Sequence, residues 1–386
     1  MILSDRSIDI VEPTLVSEAG HCAALFQGLR SAAPDLHYRL WIDRRAHLPA
    51  QSPAWHADTI ALQAHFHRRW RKLQAVLLYR RLMRKGSVLL VPTASYFDLR
   101  ALEFAAGERI PAQRALLYFH KLRIDDKRAH ALADFARRQP HVELFGTSDE
   151  IVERLRAAGF RNVWHVLPVL SGAAVLAPES APANAPSPRF RHLLSAGAAR
   201  ADKGFGRIVD LVEILAREQA SLPITVQASG DHYGRYDEQT RADLVRLQKA
   251  NYPFLNLVTE TLDAQQYSQL FPGAVCLQPY EPAEYADKMS AITFDALRAG
   301  APIVTTFGTT MARIVDRYGA GIVVQDADPR TLALAAQEAA RNYDKLHPKA
   351  LAAGSLYGPQ SSWAPLVERL RAAIAKGGSD ERIGSR

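Results

Sequence analysis

Short apolar runs alternate with stretches of helical periodicity along most of this chain, and the alternation happens twice. After a weak run at residues 7–12, "SEAGHCAALFQGLRSA" (17–32) reads as a glycine-containing turn and then a helix, with Ala23, Leu25, Phe26 and Leu29 at helical spacing. "SVLLVP" (87–92), "RALLYFH" (114–120), "HVELFG" (141–146) and "NVWHVLP" (162–168) come next, separated by helical patterns at 98–106, 126–138 and 149–158. A strand apolar on both faces needs cover on both faces, so strands separated by helices specify an α/β fold with a doubly wound parallel sheet. From residue 191 the pattern restarts. Strands are expected near 192–197, 223–228, 254–258, 274–278, 302–305 and 321–324, with helices near 204–218, 238–250, 263–270, 290–299, 309–317 and 329–342.

Between the halves lies "SGAAVLAPESAPANAPSPRF", with prolines at 178, 182, 186 and 188 and no period, which reads as a linker over 171–190. Two Rossmann-like domains are therefore expected, 1–170 and 191–358, facing an interdomain cleft at the carboxyl ends of their sheets. A final helix is expected over 359–376, with the N-terminal domain as one place to pack, and a disordered polar tail over 377–386.

The 386 residues, 48% of them hydrophobic, suffice for two cores. No window approaches eighteen apolar residues, and Asp5, Arg6 and Asp9 stand where a signal peptide needs an apolar core, so a cytoplasmic chain is expected. The two cysteines, Cys22 and Cys276, form no CxxC and support neither a disulfide framework nor a zinc cage. HExxH, GxSxG and an EF-hand loop are absent, and "EAGHCA" does not supply the GxGxxG of a dehydrogenase.

The net charge of +8, from 48 Lys+Arg against 40 Asp+Glu, is concentrated in one place. No acid occurs between Thr59 and Phe97, whereas Arg68, Arg69, Arg71, Lys72, Arg80, Arg81, Arg84 and Lys85 are all basic. A nucleic-acid surface combines basic residues with stacking aromatics, which the Arg68 to Lys85 segment could mimic, but the charge belongs to this one patch and no nucleic-acid partner is expected. The segment 65–86 also holds Phe66, Trp70, Leu73 and Leu77 on one stripe, and Leu78, Tyr79 and Leu82 on another. An anionic membrane surface and an ordinary sheet-packing helix both remain open for it.

In "SAGAARADKGFGRIVDLVEIL" (195–215) an apolar run ends in Gly197, the cations Arg200 and Lys203 come after it, and Gly204 opens a helix. A helix N-terminus offers free N–H groups and the positive end of a dipole, which suits an anion. Two adjacent cations extend this to a diphosphate; solvated loop cations are the alternative. A second such terminus lies in "PYEPAEYADKMSAITFDALRAGAPIVTT", where Lys288 precedes Ser290, a candidate N-cap, and Asp287 and Asp295 stand eight apart.

In this order and spacing, these segments resemble the GT-B-fold glycosyltransferases of the family-4-like kind, which use nucleotide sugars. The resemblance covers roughly 191–343 well and is thinner in the first half, where "SEAGHCAALFQGL", "LLYFH" and "FGTSDEIVERLRAAG" carry it. It implies Gly197, Arg200, Lys203 and Gly204 around the donor's diphosphate, with Tyr285, Lys288, Met289 and Ser290 holding the phosphates from the second loop. It puts Asp287 on the first Glu of the family's Glu-x7-Glu element, at the sugar hydroxyls, and Asp295 on the second, at the ribose. Both are shorter by a methylene here, and Ala291 stands where the family has Gly. The resemblance further implies His120 beside the donor sugar and Gly20 and His21 in an acceptor loop.

The function implied is transfer of a sugar from a nucleoside-diphosphate sugar, UDP or GDP, to a glycan, lipid-linked or other acceptor hydroxyl. Arg200, Lys203, Lys288 and two helix termini would stabilise the leaving diphosphate. No DxD stands at a strand end, so a metal-independent reaction without cofactor is expected, and the resemblance leans towards retention. A nucleotide-sugar epimerase of the same fold and a two-lobed binding protein are the competing readings. Peripheral docking on the inner membrane face, as part of cell-envelope polysaccharide synthesis, is a further expectation.

Overall fold

The computed structural model describes residues 7–17, 21–48, 55, 58–107, 109–122, 125–166, 189–228, 236–356 and 359–383. Gly20, most of the expected linker and the loop at 229–235 lie outside them. The chain divides into two compact units, residues 1–171 with 359–386, and residues 172–358.

The first unit begins β1 (Ile8–Glu12), α1 (His21–Ala32), β2 (Tyr38–Asp43), β3 (Ile60–Phe66), α2 (Arg71–Arg84), β4 (Val88–Val91) and α3 (Tyr96–Ala106). It continues with β5 (Ala115–Phe119), α4 (Asp126–Arg138), β6 (Glu143–Gly146), α5 (Asp149–Ala157) and β7 (Val163–His165). Its strands form one parallel sheet in the order β3-β2-β1-β4-β5-β6-β7. Separate apolar cores cover the two faces of this sheet: Leu89, Leu117 and Leu144 pack with α2, α3 and α5, while Ile10, Leu90 and Tyr118 pack with α1.

The second unit runs β8 (His192–Ser195), a 3-10 turn (Ala201–Lys203), α6 (Phe205–Arg217), β9 (Ile224–Gln227), α7 (Glu238–Lys249), β10 (Leu255–Val258) and α8 (Ala264–Ser268). It ends with β11 (Ala274–Gln278), α9 (Pro282–Tyr285), α10 (Ala291–Arg298), β12 (Ile303–Thr306), α11 (Thr310–Tyr318), β13 (Gly321–Val324), α12 (Pro329–Arg341) and α13 (Tyr343–Ser355). The order is β10-β9-β8-β11-β12-β13, again all parallel. In each sheet the chain direction of growth reverses once, between β1 and β4 and between β8 and β11. Loops leaving the carboxyl ends of those strands diverge there and leave room for a ligand.

Every strand expected from the apolar runs forms, and two more are present. β2 carries Arg39, and β3 carries Gln63 and His65 as the sheet's edge strand, so neither is an uninterrupted apolar run. α13 is a further element that the apolar pattern does not mark. It contains Pro348, and its packing against α10 rests on Gly354, where a Cβ would stand 2.3 Å from the Leu297 carbonyl oxygen.

The last helix, α14 (Pro359–Ile383), belongs with the first unit. Trp363, Leu366 and Leu370 enter the core around Phe26 and Tyr118, and Gly28 of α1 makes room, since a Cβ there would lie 3.0 Å from the indole nitrogen. α14 also corrects the expected end at 376 and the disordered tail: it continues through 377–383.

Candidate functional site

The turn between β8 and α6 is shaped by two glycines. Gly197, at φ +96°, donates its N–H to Gln227 Oε1 at 2.7 Å, and a Cβ there would lie 3.0 Å from Lys203 Nζ. Gly204, at φ +69°, ends the 3-10 turn and starts α6. A Cβ on it would stand 2.0 Å from the Pro279 carbonyl oxygen, so the turn lies directly against the chain leaving β11, an approach only glycine allows. α6 is held from below by Phe205, Ile208, Val212 and Leu215, all buried.

Three cations converge on that turn. Arg200 donates Nε to Asp202 Oδ1 at 2.8 Å and its Nη2 to the other carboxylate oxygen. Lys288, arriving from the loop after α9, places Nζ 3.5 Å from Asp202 Oδ2 and 4.4 Å from the centre of the Tyr285 ring. Lys203 lies between them, 5.9 Å from the Tyr280 ring. Burial pulls its ammonium down to about 8, the Arg200 and Lys288 charges push the same way, and Asp202 opposes them. One carboxylate among three cations leaves a surplus of positive charge at the carboxyl ends of β8 and β11.

The second loop is fixed by its neighbours. The Lys288 carbonyl accepts from Thr310 Oγ1 at 2.7 Å, and the Tyr280 and Tyr285 rings meet at a tilt of 46° with their centres 4.5 Å apart, both side chains buried. Ser290 is the N-cap of α10, as expected, but its hydroxyl makes no capping bond and sits 3.3 Å from the Tyr280 hydroxyl. Asp287 is buried in this loop, and Met289 is half-buried beside Lys288. Asp295 accepts from the Tyr267 hydroxyl at 3.1 Å, and burial raises its carboxyl to about 6.

Arg200, Lys203, Gly197, Gly204, Tyr285, Lys288 and Ser290 are thus brought together, while Asp295 is engaged with α8. Asp202 and Tyr280 join the cluster, although sequence reasoning does not single them out. The signal for Asp202 is present, because a carboxylate between two cations in one tight turn has little choice but to pair with them. Tyr280 carries no such local mark.

In the first unit, a cavity of about 650 Å³ opens at the carboxyl ends of β4 and β5, lined by Thr93, Tyr96, Phe97, Arg100, His120 and Lys121 among others. His120 stands at its wall with Nε2 3.0 Å from the Pro92 carbonyl oxygen and its ring 4.6 Å from that of Tyr118. Thr93 donates to Glu12 Oε2 at 2.6 Å, so a buried carboxylate at the end of β1 fixes one lip. His21 is the first residue of α1. Among the described residues no group of three or more His, Cys, Asp or Glu side chains converges as a metal site would require. No described helix is long and apolar enough to cross a membrane.

Two parallel sheets of these orders define the GT-B fold, and solved structures bear this out. An α,α-trehalose-phosphate synthase (UDP-forming) from Burkholderia vietnamiensis matches with a TM-score of 0.66 at 11% identity, covering 96% of this chain and 98% of that one. Sucrose-phosphate synthase from Thermosynechococcus elongatus matches with a TM-score of 0.62 at 15% identity, covering 98% of both chains. A trehalose-6-phosphate synthase studied for glycosyl transfer with retention matches at 0.62 and 12% identity, over 95% and 99%. No family model and no curated protein matches the sequence.

Proposed function

We propose that this protein is a glycosyltransferase that takes a sugar from a nucleoside-diphosphate sugar, with UDP as the preferred nucleotide. The observation that carries this is the cluster of Arg200, Lys203 and Lys288 at the carboxyl ends of β8 and β11. A departing diphosphate gains negative charge at its bridging oxygen, and preorganised cations in a partly desolvated site stabilise that charge without reorganising. Arg200 grips two oxygens, Lys203 and Lys288 act as point charges, and the N–H of Ser290 lies at the start of α10, whereas that of Gly204 is given to the Ala201 carbonyl oxygen. Asp287 is the donor-sugar contact and Asp295 the ribose contact in this reading. In the first unit this reading assigns His120 to the sugar and Gly20 and His21 to the acceptor.

The preference for UDP rests on the UDP-forming synthase among the solved relatives, and retention on the trehalose-6-phosphate synthase described as retaining. None of the three relatives is an epimerase or a non-catalytic binder. The cations take the part of a divalent metal, so transfer proceeds in EDTA.

Membrane docking belongs to the same proposal. On α2, Ala75, Leu78, Tyr79 and Leu82 face the core, which leaves Trp70, Leu73 and Leu77 turned outward at 62%, 55% and 58% exposure. With about 100° per residue, Arg80, Arg81 and Arg84 fall on the same side as those three. An apolar row edged by arginines suits the headgroup region of an anionic leaflet, where a lipid-linked acceptor would be met.

A melting-temperature screen over UDP-, GDP-, ADP-, dTDP- and CMP-linked sugars, with and without EDTA, tests the reading. A ligand bound only by the folded state adds about 2.7 kcal/mol at roughly a hundred times its dissociation constant. UDP sugars should raise the melting temperature equally in EDTA. No shift with any nucleotide sugar would sink the transferase reading.

A further inference from the structure

The cavity at the carboxyl ends of β4 and β5 is charged in a way that the fold itself does not require. Arg100 from α3, Lys121 from the loop after β5 and Arg128 from α4 line it; among the described residues no carboxylate is in its lining, and Glu12 and Asp98 are engaged by the lining hydroxyls of Thr93 and Ser95. Arg128 lies in the first turn of α4, where the helix dipole disfavours a cation. Its pairing with Asp125 is loose, at 3.7 Å between two exposed side chains, and contributes little to stability. Arg100 has no ion-pair partner among the described residues. A fourth cation, Lys72 of α2, approaches the Phe97 ring to 5.5 Å, and Phe97 forms part of the cavity wall.

Like charges around one concavity repel each other and draw in an anion. The volume of about 650 Å³ is that of a small-molecule site, and Tyr96 and Phe97 offer apolar surface of the kind that packs on a sugar ring. We infer that this cavity binds the acceptor, and that the acceptor is a sugar bearing an anionic group, a phosphate or a carboxylate. Arg100 and Arg128 hold the anion through their planar guanidinium groups, and Lys121 adds a point charge. The assignment of the ligand as acceptor rests on the glycosyltransferase reading; the anionic sugar site does not.

Calorimetric titration of the full chain with glucose 6-phosphate, glucuronate and glucose, with and without saturating UDP, tests this. At least one charged sugar should bind tenfold or more tighter than glucose, and the tighter of the two identifies the anion. Arg100→Gln and Arg128→Gln together should lower that affinity at least tenfold and leave UDP binding unchanged. Lys203→Ala should do the reverse, lowering UDP binding and sparing the charged sugar when UDP is absent. Equal affinity for charged and neutral sugars, no binding of any of the three, or undiminished binding in the double variant each overturns the inference. Loss of the UDP response alone, with the sugar pattern intact, overturns the donor site and leaves the anionic sugar site standing.

Discussion

The carboxylate of Asp202 lies 3.5 Å from the ammonium of Lys288 and so ties the turn before α6 to the loop before α10. The same carboxylate receives Arg200, which makes it an anion shared by both cations. A diphosphate arriving at those cations has to compete with it. Asp202→Asn keeps the shape and removes the competing charge, so UDP affinity should rise roughly three- to tenfold, equivalent to about 1 kcal/mol. Arg200→Ala and Lys203→Ala should each weaken it by about 1.5 to 3 kcal/mol. Calorimetry with UDP decides: weaker binding in Asp202→Asn would show that the carboxylate orients the cations.

Lys203 also makes donor binding depend on pH. Its ammonium titrates near 8 in the free protein because burial and the neighbouring cations disfavour the charge. A bound diphosphate favours the charged form, so the complex holds a proton that the free protein loses above that pH. UDP affinity should therefore be level below about pH 7 and fall as pH rises, towards tenfold per unit at the limit. UDP dissociation constants between about pH 7 and pH 9.5 check this, and a flat profile rules Lys203 out of the phosphate contacts.

Gly204→Ala should be among the most damaging single changes in the second unit. The left-handed conformation costs a non-glycine residue about 1–2 kcal/mol, and the added Cβ meets the Pro279 carbonyl oxygen, a backbone atom that cannot swing away. Thermal unfolding should show a drop of several degrees, and UDP binding should be lost even where the variant is folded. A variant with parental melting temperature contradicts the close contact.

Asp295 carries a charge that the folded state disfavours, since its carboxyl is raised from 3.8 to about 6 by burial. The raised value means that the folded state holds the extra proton between those two pH values, so this group's contribution to stability falls as pH rises from about 4 to 6. Asp295→Asn keeps an acceptor for the Tyr267 hydroxyl and removes the penalty. The variant should melt above the parent at about pH 7, with the difference vanishing near pH 4. A lower melting temperature at neutral pH would mean that the carboxylate is needed for packing.

For the outward face of α2, replacing Arg80, Arg81, Arg84 and Lys85 by Gln should cut binding to phosphatidylserine-containing vesicles sharply, at about 1 kcal/mol per cation. Turnover on a soluble acceptor should be unchanged. Sedimentation that shows no lipid dependence in the parent protein removes the membrane from the proposal.

The sequence alone determined what depends on neighbours a few residues apart. The step from β8 through Gly197, Arg200, Lys203 and Gly204 into α6 was legible because strand, turn, charges and helix start lie within one continuous stretch. The start of α10 at Ser290 was legible for the same reason. β2 and β3 were not, because their burial comes from their place in the sheet: β3 is an edge strand whose side chains alternate between cover and solvent. The run of α14 through the Gly pair at 377 and 378 was not legible either, because glycine disfavours a helix by about 1 kcal/mol per residue.

Tertiary structure decided which groups meet. Asp202 reaches Lys288 only because β8 pairs directly with β11, although β9 and β10 intervene in the chain, so the cation cluster is a product of strand order. The two apolar stripes are equivalent by periodicity; packing against α3, with Tyr79 donating to Asp98 at 2.8 Å, buries one and turns Trp70, Leu73 and Leu77 of the other to solvent, whereas Phe66, expected on that outer stripe, ends β3 and is buried. Periodicity measures whether a face can be buried. Only the arrangement of the other elements determines whether there is anything to bury it against.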